Sequence, residues 1–164
     1  MSEPETRLFQ VQGSIFAPID PSGRLAQLLA YWRHLVPAGL PGRQHVDPIL
    51  IGPTLLPHVF LADSIDGGER FRWRLIGTHI VNHAGTDDTG QALDDTVTPA
   101  MRDTIIGHYR EVVRNRRPIC HRSEFVGRDR RVYRYDRLLM PLATNGTAVD
   151  MIFGGAVFGP PRDG

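Results

Sequence analysis

The stretch from Glu69 to Gly90, ERFRWRLIGTHIVNHAGTDDTG, constrains the fold more than any other part of the chain. It opens with alternation: Phe71, Trp73 and Leu75 fall on one strand face, and Arg70, Arg72 and Arg74 on the other. At Gly77 the period breaks. Thr78 can cap a short helix that runs through His83, and Gly85 can end it in the left-handed conformation. Asp87-Asp88-Thr89-Gly90 adds a turn signal at once. A half-buried strand followed directly by short helix and loop predicts a small sheet whose ligand side is covered by helices.

The chain can support such a sheet as one domain. At 164 residues it is long enough to bury a core, and 41% hydrophobic with 23% charged residues is ordinary for a soluble globule. No apolar run reaches the roughly 18–20 residues a membrane span needs. The amino end, MSEPETRLFQVQGS, is acidic and has no apolar core, so no secretory signal is expected. The single cysteine, Cys120, allows no internal disulfide and cannot alone supply a zinc site. A cytoplasmic location is the resulting expectation. Net charge is only +1, yet ten arginines face four acids between Arg110 and Arg137, and lysine is absent throughout. That block reads first as a solvated sheet face and second as a patch for an acidic protein. Without an aromatic ladder or recognition-helix pattern it does not predict a nucleic-acid partner.

Residues 1–23, with Pro4, Gly13, Pro18, Pro21 and Gly23, predict an irregular arm, in which Leu8 to Val11 could form a short strand. A helix follows from Arg24 to Leu35, with Leu25, Leu28, Leu29, Trp32 and Leu35 at helical spacing and Ser22 as its cap. A Pro-punctuated linker leads to a helical turn from Gly52 to Leu56. Strands are expected from His58 to Ile65 and from Glu69 to Ile76, joined by Asp66-Gly67-Gly68. Pro99 suits the first turn of a long helix carrying Met101, Ile105, Tyr109, Val112 and Val113 as one stripe. Three more strands run from Ile119 to Val126, Val132 to Leu142 and Ala148 to Phe158, the last pair joined at Asn145-Gly146. Residues 24–158 then form the domain and 159–164 a tail.

This order resembles a PAS domain, and most closely a PAS group seen mainly in alphaproteobacterial genomes, often as a short protein on its own. The resemblance rests on LLAYWRHL at 28–35, VDPILIGPTLLPHVFLAD at 46–63 and FRWRLIGTHI at 71–80. It continues through GTDDTGQAL at 85–93, RPI at 117–119, DRLLMPLA at 136–143 and DMIFGGAVF at 150–158. It implies an α+β fold: a five-stranded antiparallel sheet with helices on one face, plus the N-terminal amphipathic helix. It also implies binding of a small molecule or a protein, without specifying the ligand.

The pocket candidates are Phe71, Trp73, Leu75, Ile80, His83, Tyr109, His121, Tyr135, Arg137, Leu139 and Phe153. On the last strand Val149, Met151, Phe153 and Val157 are the expected inner set. Arg137 is in phase with Tyr135 and Leu139, so it would be a costly charge to bury unless it meets an anionic ligand or an internal carboxylate; snorkelling to solvent is the alternative. His79 and His83 lie four apart but lack the Glu and third ligand of a zinc helix. His108 sits on the element from which haem-binding PAS domains take their axial ligand, yet near the edge of the apolar stripe, so no cofactor is expected. Cys120 lacks the Asn-Cys-Arg-type motif of flavin photosensors, and His121 beside it points to the other sheet face, so the two form no nucleophile and base.

The expectation is therefore a sensory PAS domain that binds a small molecule and answers through a protein partner, with Leu25, Leu28, Leu29 and Trp32 as a surface for self-association. A ligand-free adaptor or dimerisation module is the first alternative. A small α+β enzyme using His121 and Tyr135 is the second, and it lacks an acid partner. A cavity of about 300 Å³ or more marks the sensor, and a packed interior marks the adaptor.

Overall fold

A computed structural model describes residues 19–20, 23–126 and 129–162. The expected strand from Leu8 to Val11 and the Ser22 cap lie outside the described residues. Five strands build one sheet: β1 Val59–Ile65, β2 Arg70–Ile76, β3 Ile119–Val126, β4 Val132–Leu142 and β5 Met151–Arg162. Their order across the sheet is β2-β1-β5-β4-β3, and every neighbouring pair is antiparallel. β5, last in sequence, thus lies at the centre. Among the described residues the α-helices are α1 Arg24–Arg33, α2 Pro48–Ile51, α3 Thr78–Ala84, α4 Leu93–Thr96 and α5 Pro99–Asn115. None among the described residues is long and apolar enough to cross a membrane.

Both faces of the sheet are covered, and this decides which side each residue serves. On one face α1 packs Leu25 and Leu28 against Leu61, Leu138, Met140 and Phe153. Trp32 donates its indole N–H to the Pro141 carbonyl at 2.9 Å, and Tyr31 meets Phe153 edge-on at 6.1 Å. On the other face α4 and α5 pack Leu93, Met101, Ile105, Ile106, Tyr109 and Val112 against Phe60, Phe71, Leu139 and Ile152. Gly154 and Gly155 serve one face each: a Cβ on Gly154 would lie 2.1 Å from the Phe60 ring, and one on Gly155 2.5 Å from Leu28. Neither position accepts a side chain without moving a core element.

Several expectations need correction. Leu25 and Leu28, read as a surface for self-association, are buried at 6% and 0% exposure because the sheet itself is the partner of that stripe. Leu29 and Trp32 are half-buried against the same core. Among the described residues, the large apolar side chains left in solvent are Ile49, Leu50 and Leu75. Gly77, not Thr78, is the N-cap of α3, and no side chain caps it. Gly77 is needed for another reason, since a Cβ there would lie 2.3 Å from the Pro57 carbonyl oxygen. The helical turn expected from Gly52 to Leu56 is present, with the Leu55 and Leu56 N–H groups donating to the Gly52 carbonyl at 3.3 and 3.0 Å. A further turn precedes it as α2, where the Asp47 carboxylate accepts the Ile49 N–H at 2.9 Å and Pro48 fills the first turn. Asn145 accepts the Thr147 and Ala148 N–H groups, which holds open a longer β4–β5 connection, so β5 starts at Met151. β5 then continues to Arg162 opposite Val132, so most of the expected tail is strand.

Candidate functional site

Between the sheet and α3–α5 lies a cavity of about 260 Å³. The β strands supply its floor. On β1 and β2 the floor residues are Phe60, Trp73 and Ile76; on β4 and β5 they are Tyr135, Arg137, Ala156 and Phe158. Ile80 and Ala84 of α3, Thr96 of α4, and Ile105 and Tyr109 of α5 close it from above. The rings are mutually braced: Phe60 and Trp73 meet edge-on at 5.5 Å, and Tyr135 stacks on Phe158 at 5.3 Å.

The loop before α4 is tied to the floor by backbone hydrogen bonds. Trp73 N–H donates to the Gln91 carbonyl at 3.0 Å, and Gly90 N–H to the Trp73 carbonyl at 2.8 Å. The Trp73 indole then donates to Thr96 Oγ1 at 3.0 Å, and that hydroxyl donates to the Leu93 carbonyl. Roof and floor are therefore hydrogen-bonded to each other. Asp88 of the same loop also lines the cavity, and burial followed by the neighbouring Asp87 charge pushes its carboxyl above the usual range.

At the α5 end the wall is polar. Arg137 is 7% exposed, and its Nη2 donates to His108 Nδ1 at 2.9 Å. Its guanidinium carbon lies 5.5 Å from the centre of the Tyr109 ring. His121 stands directly across from Arg137 in the β3–β4 register, and its ring stacks on His108 with centroids 3.5 Å apart. Burial, and then the Arg137 charge, lowers the His121 pKa to about 3. Burial also pushes the Tyr109 phenol well above its usual value. Three buried polar atoms have no hydrogen-bond partner here: Arg137 Nε and both ring nitrogens of His121.

Of the pocket candidates, the structure brings Trp73, Ile80, Tyr109, Tyr135 and Arg137 to the cavity wall. Phe71 and Leu139 are buried beside it in the same core, and His121 lies behind Arg137. His83 sits outside the wall, stacked on Phe158 at 4.4 Å. Leu75 and Phe153 belong to the opposite face. On β2 Leu75 pairs with Leu61 while Trp73 pairs with Ala62, so Arg74 is an extra residue that flips the phase and leaves Leu75 42% exposed. On β5 the expected inner set is reversed: Met151, Phe153 and Val157 face α1, while Ile152, Ala156 and Phe158 face the cavity side. Val149, before the strand, does pack on the cavity-side core.

Cofactor chemistry can be judged from the same geometry. His108 is not at the edge of its helix face but 4% exposed, with its ring against His121 and its Nδ1 taken by Arg137. It does not line the cavity and does not fit an axial haem ligand. Cys120 lies in the α1-side core, its thiol pushed up to about 12 by burial, so it cannot reach a flavin in the cavity. His79 and His83 gain a third ring, His58, at 4.0 Å from His79. No group of three potential ligands among the described residues is arranged to hold a metal ion.

A five-stranded antiparallel sheet holding a cavity under short helices and one long helix is the architecture of a PAS domain. The PAS domain family matches residues 21–157, and the chain belongs to it. Among solved structures it is similar to the PAS domain of BvgS from Bordetella pertussis, at 16% identity and a TM-score of 0.52 over 65% of this chain and 79% of that one. It is also similar to the PAS-B domain of Drosophila melanogaster Cycle with bound glycerol, at 9% identity and a TM-score of 0.48, covering 62% and 99%. A PAS domain from Colwellia psychrerythraea matches at 14% identity and 0.45, covering 61% and 83%. No curated protein matches the sequence.

Proposed function

We propose that the chain is a sensory PAS domain that binds a small, largely apolar molecule in the cavity and transmits the event to a protein partner. The observation that carries this reading is the partly open cavity of about 260 Å³ with aromatic walls. It falls just short of the roughly 300 Å³ set above as the mark of a sensor, but the interior is not packed, and the size restricts the ligand to one ring or a short chain. A ligand-free adaptor has no use for such a space, because the transfer of apolar side chains into a tight core stabilises the fold. The enzyme alternative loses its base, since His121 lies behind Arg137 and off the wall.

Occupancy can leave the cavity through contacts already described. Trp73 and Thr96 couple the floor to α4, and Tyr109 couples it to α5. A ligand that binds one arrangement of these helices better than another shifts the population toward it. A partner that reads the helices then receives the signal by association. A cytoplasmic setting suits the single buried thiol.

Native mass spectrometry of the purified protein, with a visible absorption spectrum, tests the reading. The expected result is a non-covalent added mass of a small molecule that is lost on denaturation, without a Soret or flavin band. An unliganded mass from every preparation, unchanged by incubation with small-molecule extracts, would assign the chain to the adaptor class.

A further inference from the structure

We propose that the cavity selects a small organic acid: an apolar body held by the aromatic walls and a carboxylate paired with Arg137. This rests on the cavity being a ligand site and adds the ligand's charge and class.

Arg137 carries an unbalanced charge. Arginine stays protonated in proteins, and a buried guanidinium without a counter-anion is costly. Arg137 is 7% exposed on the cavity wall, and no described carboxylate lies within ion-pair distance of it. The acids nearby are accounted for. Asp136, next in sequence, points to the other sheet face and accepts two hydrogen bonds from Arg122 at 2.8 and 3.1 Å. Asp88 lines the same cavity but makes no ion pair with Arg137.

What Arg137 does touch is neutral. His108 Nδ1 accepts from it and so carries no proton, and Tyr109 presents its ring face. The Nε–H edge is buried without an acceptor. A cationic corner at one end of an apolar cavity is complementary to one planar anion on an apolar body. Phe60, Trp73, Ile105 and Phe158 supply the walls for that body.

Calorimetric titration of the whole chain at pH 7 with benzoate, octanoate and their primary amides tests this. The amides keep the shape and remove the charge. At least one acid should bind about tenfold or more tighter than its own amide, the worth of a hydrogen bond to a charged group. Arg137→Gln should erase that preference, and its urea unfolding transition shows that the variant is folded. Equal affinities for acid and amide, or a preference that survives Arg137→Gln, overturn acid selection but leave the cavity reading intact. Failure of all four probes to bind also overturns the proposal, and the mass measurement then judges the cavity reading separately. The acid–amide contrast in the wild-type chain is decisive even if the variant does not fold.

Discussion

Arg137 and Tyr135 show how a single side chain can be read from sequence. β4 is regular between Tyr135 and Leu142, so the alternation that places Tyr135, Arg137 and Leu139 together holds in the fold. Leu75 and Phe153 show where such reading stops. One unpaired residue, Arg74, inverts the end of β2, and nothing in FRWRLI marks it. On β5 both faces are buried, so apolar character carries no phase, and the cavity side takes the smaller residues Gly154 and Ala156 to leave room. At this scale histidine burial makes a prediction. His121 and His79 are held neutral, with pKa lowered from 6.5 to about 3 and about 4, chiefly by burial. In the unfolded chain both protonate near pH 6.5, so below that value the unfolded state binds more protons than the folded one. Stability should therefore be lost progressively as pH falls from 6.5 toward 4. Thermal melting at pH 7, 6, 5 and 4 checks it: the midpoint should fall at each step, with part of the fall removed in His121→Asn. A flat profile over that window would contradict the burial assigned to these rings.

At the scale of elements, β3, β4 and α5 were legible almost to the residue, because turn residues bound them and their periods are long. The partner of α1 was not. A Leu and Trp stripe at helical spacing says only that something covers it, and the second face of the sheet is invisible in sequence because its residues come from four separate strands. The structure makes α1 part of the core, and its removal should expose Phe153, Leu61 and Met140 together. Leu28→Ala should cost about 2–5 kcal/mol in urea unfolding. Leu29→Ala, at the half-buried rim, should cost clearly less. A change at Leu28 that lowers association and leaves stability untouched would instead restore the reading of α1 as a docking surface. The third histidine of the His58–His79–His83 stack was equally hidden, since it joins α3 from a turn on the far side of the β1–β2 hairpin.

For the whole molecule, the cavity is the property that no single element predicts. It exists because four strands and three helices leave a space that Tyr109, Trp73 and Tyr135 line without filling. The chain carries two tryptophans, and they sit on opposite sides of the sheet. Trp73 lines the cavity and donates to Thr96, whereas Trp32 donates to Pro141 under α1. Nitrogen-15 labelled protein should therefore give two indole N–H signals, one reporting the cavity and one an internal control. Titration with benzoate and with unlabelled indole should shift the Trp73 signal saturably with one or both probes and leave the Trp32 signal in place. A Trp73 signal that neither probe moves, or equal movement of both signals, would contradict a ligand-binding cavity on this face of the sheet.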